Sequence, residues 1–289
     1  MQSLWMLLAC AMFSIMGACI KVASDQGASL PQIVLFRGLP SVLLLLIWAR
    51  ISHRRIRPND WTAHIWRNVA GLGSMWLFFY ALSQLALSTA VSLNYTSALF
   101  ITGWVLFRGN RDALRTFAVA LGFLGVIAVL RPSVGQDDFL AGLLGLVGAS
   151  LNAVAMMQVR QLSRIGEAEW RIVLIFSICV CLSSLGGLVF RGWSPLSAPA
   201  WVALIGLGTS GLFGQLAMTR AFGHGSTLLT VALQYANIVF ATLLGIIFWG
   251  DYPDVLAWSG MTLIIGAGLL SAWSTYSDSK AAQRAAQAS

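Results

Sequence analysis

Asn94-Tyr95-Thr96-Ser97-Ala98-Leu99-Phe100 and Gln234-Tyr235-Ala236-Asn237-Ile238-Val239-Phe240 are two versions of one short pattern, 140 positions apart. Each opens on an amide, follows it with tyrosine, and sets a second polar side chain three residues on. Each is embedded in a long apolar run. Two further pairs flank them in the same order. Gly71-Leu72-Gly73-Ser74 precedes the first copy as Gly206-Leu207-Gly208-Thr209 precedes the second. Leu124-Gly125-Val126 follows the first as Ile265-Gly266-Ala267 follows the second. The chain reads as one unit written twice.

The composition says where both copies reside. Of 289 residues 58% are hydrophobic and 10% are charged, against roughly 25% charged in an ordinary soluble domain. Mean hydropathy is +0.78. These values exclude a soluble enzyme, a disordered chain and a nucleic-acid-binding domain. The net charge of +8 does not alter that, because the basic residues stand in short loops and not on one solvated face. A spanning helix needs roughly 20 mostly apolar residues. Apolar runs and their breaks predict ten spans, over 4–22, 33–49, 65–85, 88–107, 114–131, 140–159, 171–190, 200–222, 227–249 and 254–274. The fold class expected is all-α, a polytopic membrane protein. With the N-terminus inside, 14 of the 18 Lys and Arg fall in inner loops or the tail, leaving Lys21, Arg37, Arg131 and Arg191 opposite. Both termini are therefore expected to be cytoplasmic. Five spans per half is an odd number, so residues 1–135 and 136–276 are expected as inverted repeats, with 277–289 a frayed cytoplasmic tail. Inverted repeats place a substrate site near the midplane between the halves.

Met16-Gly17-Ala18-Cys19 imitates a lipoprotein cleavage box, but Met1-Gln2-Ser3 supplies no basic region before it, so a retained first span is expected. The four cysteines lie in apolar runs without metal-ligand spacing and read as packing residues. No metal and no cofactor is expected.

The chain resembles the drug/metabolite transporter superfamily in its ten-helix form with two EamA-type domains. The resemblance is carried by Arg37, by Phe79-Tyr80-Ala81-Leu82 and by Leu121-Gly122-Phe123-Leu124-Gly125-Val126. Its clearest piece is Phe240-Ala241-Thr242-Leu243-Leu244-Gly245 with Phe248-Trp249-Gly250-Asp251-Tyr252-Pro253-Asp254, followed by Gly260 and Gly266-Ala267-Gly268. It covers nearly the whole chain. Where the family ends spans 4 and 9 with Gly-Glu, this chain has Arg108-Gly109-Asn110-Arg111 and Gly250-Asp251. A proline common in the middle of both spans is absent, and Ser97 and Asn237 stand about there. The resemblance implies a carrier of small organic solutes, often an exporter.

All ten acidic residues fall in loops or at helix ends, so no carboxylate-based coupling site is expected. No pair of Lys or Arg is expected at mid-membrane, which disfavours substrates of fixed negative charge. Asn94 with Ser97, and Gln234 with Asn237, each share one face of a helix, and their amides offer donors and acceptors to an ammonium or carboxylate. Interhelical hydrogen bonding is the competing account of them. Tyr95, Tyr235, Tyr80 and Trp76 are candidate cavity aromatics. Asn152, Gln158, Ser14 and Gln215 extend the polar set. Lys21 is a candidate for drawing a carboxylate to the outer mouth, and Arg37 is expected to snorkel. Most tryptophans stand at span ends as an interfacial belt, with Trp76 and Trp104 internal. The GxGxxG spelled by Gly206-Leu207-Gly208-Thr209-Ser210-Gly211 has no strand before it, so it reads as a close-packing seam of span 8, as do Gly142, Gly145 and Gly148 in span 6. Spans 6 and 8 fall in the same half, so these seams are expected as sliding surfaces within it. His53 and His64 are expected to be solvated, and His224 to lie in an inner turn. The function expected is export of amino acids, bulky or aromatic ones first, by a monomer in a bacterial inner membrane. The partners are a small-molecule substrate and the lipid bilayer, with no nucleic acid. Multidrug or other metabolite efflux is the alternative. A membrane-embedded enzyme or a structural protein is a remote one, and no catalytic residue is expected.

Overall fold

The computed structural model describes residues 4–54, 56–97, 99–100, 103–104, 113–130, 136–224 and 233–288. Among them are ten α-helices and no strand: α1 (Trp5–Asp25), α2 (Leu30–Ile51), α3 (Trp61–Gln84), α4 (Leu87–Tyr95), α5 (Ala113–Leu130), α6 (Gln136–Arg164), α7 (Glu169–Arg191), α8 (Ala198–His224), α9 (Ala236–Trp249) and α10 (Val255–Ala288). α1, α2, α6, α7 and α8 are long and apolar enough to cross a bilayer, and α5, α9 and α10 hold shorter apolar stretches. Arg108–Arg111 and the Ser226 end of the inner turn lie outside the described residues.

Helix starts follow the local sequence. Ser29 and Gln32 close a capping box on α2, and the Asp60 carboxylate accepts the Thr62 N–H at 2.8 Å at the start of α3. Gly250 ends α9 with φ +65°, a conformation that favours glycine. The segment expected to fray is helical instead, because α10 continues through the alanine-rich end as far as Ala288.

The principal packing runs between the halves. α1 lies on α8, α3 on α6, α2 on α7, and α5 on α10, while α4 meets both α9 and α6 and α1 also meets α9. Exchanging each helix for the one five places along turns this pattern into itself. Glycines set the closest approaches. A Cβ on Gly125 would come 2.8 Å from the Gly260 carbonyl oxygen, and a Cβ on Gly260 would meet the Gly125 carbonyl at 2.8 Å. Gly148 packs on Ser74 and Leu77 of α3, and Gly206, Gly208 and Gly211 pack α8 on α1 and α2. The small-residue seams thus join opposite halves. Close backbone approach is what binds helices in lipid, where no hydrophobic force draws them together.

Loop contacts sort into two ends, as ten alternating spans require. At one end Asn59 donates to Glu167. At the other Trp249 donates to Asp25, Gln32 to Ser194, and Ser197 to Gln26. Between the ends, large apolar side chains such as Phe190, Val202, Phe213 and Ile247 face outward, as lipid contact demands.

Candidate functional site

The two copies of the repeated pattern meet at the centre, and both are broken there. α4 stops at Tyr95, turns at Thr96 and is helical again at Ser97, and helical residues 233–234 are parted from α9 by a turn at Tyr235. Uninterrupted spans 4 and 9 were expected. The breaks need no proline. The Thr96 hydroxyl donates to the Leu93 carbonyl at 2.6 Å, competing with the backbone, and Thr96 N–H donates to the same carbonyl at 3.1 Å in a tighter turn. Across the second break the Ile238 N–H reaches back only to Tyr235, at 3.0 Å. Carbonyls freed there are taken up by the neighbouring helix: the Cys10 thiol faces the Leu233 and Gln234 oxygens at 3.5 and 3.4 Å.

One turn along α1 from Cys10, the buried Ser14 hydroxyl donates to the Asn237 side-chain oxygen at 2.6 Å. The Tyr95 side chain lies near Asn237. With the halves exchanged, the Asn152 amide of α6 faces the Ser97 hydroxyl at 3.5 Å. The two contacts occupy equivalent places with their residue types exchanged, serine–asparagine in one and asparagine–serine in the other. Between them the Tyr95 and Tyr235 rings pack at 5.9 Å between centroids, inclined by 52°. Tyr235 lies hard against α10, where a Cβ on Gly268 would overlap its hydroxyl. Asn94 and Gln234 are half-buried and make no side-chain hydrogen bond among the described residues. The expected set therefore divides. Ser14, Tyr95, Ser97, Asn152, Tyr235 and Asn237 are brought together and tied, while Asn94 and Gln234 sit beside them with their amides free.

The remaining candidates stand apart from this centre. The Trp76 indole donates to Ser183 of α7 at 3.3 Å. Tyr80 is half-buried against the apolar core, and Gln158 is half-buried on α6. Lys21 donates to the Leu85 carbonyl at 3.2 Å, pairs with Asp251 at 3.7 Å and lies 5.6 Å from the centre of the Trp249 ring. It fastens three segments at one end of the bundle.

Four expectations are corrected. Arg37 does not snorkel: it is 6% exposed and donates to Gln215 at 3.4 Å. Arg67, counted among the inner loop charges, is 5% exposed and stacks on Phe176 at 3.6 Å. The two guanidiniums are near enough to repel each other, so a basic pair does lie inside the bundle. Linear spacing concealed it, because α2 and α3 run in opposite directions. Trp104 is not internal but 52% exposed, on the lipid side of its helix.

His64 is the fourth. It is buried and lies 3.6 Å from Glu167, which also accepts from the Asn59 N–H at 2.8 Å and from Arg171. Burial by itself raises the Glu167 pKa, but the Asn59 N–H and the Arg171 guanidinium outweigh it and hold the carboxyl below its usual range. The stabilisation this gives is present above the unfolded value, about 4.3, and is lost as pH falls through the folded one. Glu167→Gln is expected to lower the apparent Tm of detergent-purified protein at pH 7, with the gap closing as the buffer is taken below pH ~4. A gap that stays constant with pH contradicts the assignment.

The residues match known sequences across nearly their whole length. The model of the EamA-like transporter family matches residues 1–131. The chain is 30% identical to a pseudopaline exporter of Pseudomonas aeruginosa, over 88% of this chain and 90% of that one. It is 22% identical to an S-adenosylmethionine uptake transporter of Rickettsia prowazekii, over 92% and 90% respectively. A solved crystal structure superimposes with a TM-score of 0.65 over 91% of this chain and 95% of that one, at 17% identity, which is a likeness of fold. Ten helices with lipid-facing apolar surfaces and this full-length relationship make the chain a multi-pass integral membrane protein, and it belongs to the EamA-like transporter family.

Proposed function

We propose that the protein exports amino-acid-type solutes with bulky or aromatic side chains, by alternating access between inverted repeats spanning residues 1–135 and 136–276, as a monomer in a bacterial inner membrane. The observation that carries this reading is the pair of matched helix breaks at Tyr95–Thr96 and Tyr235, with the free amides of Asn94 and Gln234 beside them. Interrupted helices at a repeat interface are where carriers hold their cargo, because backbone groups released from the helix must be satisfied by protein, water or substrate. The amides suit an ammonium and a carboxylate, and the tyrosine rings suit an apolar or aromatic side chain.

The unequal lengths of the exchanged contacts support alternating access. Ser14–Asn237 is closed at 2.6 Å while Asn152–Ser97 is stretched to 3.5 Å. Inverted repeats that trade conformations would reverse that inequality in the opposite state. The direction proposed is that of the Pseudomonas aeruginosa relative, an exporter.

Counterflow in proteoliposomes tests the reading. Vesicles holding the purified protein and unlabelled phenylalanine are expected to accumulate labelled phenylalanine, and the double variant Asn94→Ala/Gln234→Ala is expected to lose about tenfold or more of that uptake. Equal uptake by wild type and double variant removes the amides from the site. No uptake of any amino acid by folded protein ends the amino-acid assignment.

A further inference from the structure

Arg37 and Arg67 enter the bundle from opposite ends. Each stands about 10 Å along its helix from the start of α2 or α3, at a rise of 1.5 Å per residue. Both are more than nine-tenths buried. The elements packed round them are α2, α3, α7 and α8, the second set of helices that the exchange of halves maps onto itself. Glycines make room: a Cβ on Gly211 would come 2.9 Å from Arg37 Nε, and one on Gly71 would come 3.2 Å from an Arg67 nitrogen.

Their partners do not neutralise them. Arg37 has the neutral Gln215 oxygen at 3.4 Å, and Arg67 has the neutral Asn68 oxygen at 3.4 Å and the face of Phe176. Arg67 Nε has no hydrogen-bond partner among the described residues. Among the described residues no carboxylate lies within ion-pair distance of either guanidinium, and the two repel one another. A buried cation without a counter-charge is strongly unfavourable. A guanidinium half satisfied by neutral oxygens and held on an aromatic face keeps its planar fork presented to a carboxylate, which it binds by two parallel hydrogen bonds.

We propose that Arg37 and Arg67 form an anion subsite, and that the cargo is a small organic solute bearing two carboxylates, one for each guanidinium. The proposal deepens the transporter reading and rests on it in one respect, that a cargo passes between the halves. Among amino-acid-type solutes it selects those with a carboxylate beyond the α-carboxylate in place of the bulky or aromatic ones proposed above. A single zwitterion leaves one arginine uncompensated, and a neutral drug leaves both.

The test is the apparent Tm of the purified full chain in detergent, titrated separately with glutarate, glutamate, phenylalanine and glycerol 3-phosphate. Glutarate and glutamate are expected to raise the Tm at concentrations about tenfold below those phenylalanine needs, and Arg67→Gln is expected to erase that preference. Gln215→Glu supplies an internal carboxylate to Arg37. It is expected to raise the Tm without ligand and to weaken the glutarate response, so the outcome does not depend on Arg67→Gln folding. A response to glycerol 3-phosphate alone overturns the carboxylate assignment. Equal responses to glutarate and phenylalanine, or a glutarate preference that survives Arg67→Gln, overturn the subsite. This readout needs no flux. Failed phenylalanine counterflow with the glutarate response intact counts against the amino-acid reading alone, and the reverse pattern counts against the subsite alone.

Discussion

Replacing Gly208 with leucine is expected to abolish folded protein. Pro40 lacks the N–H that a helix would offer to the Phe36 carbonyl one turn earlier, so that oxygen is left on the surface of α2. α8 closes on this spot. A Cβ on Gly208 would lie 2.5 Å from both the Phe36 oxygen and Pro40 Cγ. Neither can yield, since one is backbone and the other belongs to a ring locked into it. Overpacking a helix crossing ordinarily costs about 1–3 kcal/mol, and a whole leucine side chain set against a carbonyl and a proline ring that cannot move stands well above that range. Marginal proteins do not survive such a loss. The measurement is the monodisperse fraction on size exclusion after solubilisation, with Gly186→Leu as control. Gly186 faces outward on α7 and a Cβ there meets nothing within 4 Å. Matching yields for the two variants mean that the crossing is looser than the geometry states.

The second large effect is expected at Asn237, and on transport rather than on folding. Its side-chain oxygen takes the Ser14 hydroxyl at 2.6 Å, and its side chain meets Tyr95 across the interface between the halves. Asn237→Leu removes the 2.6 Å bond and leaves the buried Ser14 hydroxyl only the Asn237 backbone oxygen at 3.3 Å, at a cost of about 1–3 kcal/mol. The loss bears on the state in which that contact is closed. The expected result is at least about a tenfold fall in counterflow, with solubilised yield near wild type. Asn152→Leu breaks the stretched contact in the mirror position and is expected to change the Tm of this state less, since a 3.5 Å contact holds little hydrogen-bond energy. If the two variants lower the Tm equally, the difference between the contacts has no energetic weight. If neither changes counterflow, the exchanged pairs are passive packing.

Much of the architecture was legible in the chain itself. Apolar runs of spanning length and basic residues concentrated in alternate loops pointed to an all-helical chain of ten helices, and the pattern at residues 94–100 repeated at 234–240 pointed to two groups of five. The reason is local: lipid forbids unpaired backbone, so a long apolar stretch has few conformations open to it. The same periodicity nominated Ser14, Ser97, Asn152 and Asn237, though not their pairing. The sequence hint for that pairing was available, since Ser14 and Asn152 stand 138 apart and Ser97 and Asn237 stand 140 apart.

Tertiary structure alone decided the charges. Arg37, Arg67, Glu167 and His64 sit near helix ends in the linear order, where snorkelling and solvation are the ordinary outcome. Which of them turns inward depends on the rotation of each helix about its axis and on the small residues beside it, on its own helix or the next. Gly211 admits Arg37, Gly71 admits Arg67, and the Glu167 loop folds over His64. The first and third are contacts between residues more than a hundred positions apart, which no local pattern encodes, and Arg67, one turn from Gly71 on α3, is held inward by Phe176 of α7. The helix breaks were hidden for a related reason. Tyr235 is tolerated within helices, and it ends one where Cys10 of α1 and Gly268 of α10 receive the freed carbonyls and the displaced ring, while the break at Thr96 comes from its own hydroxyl on the Leu93 carbonyl.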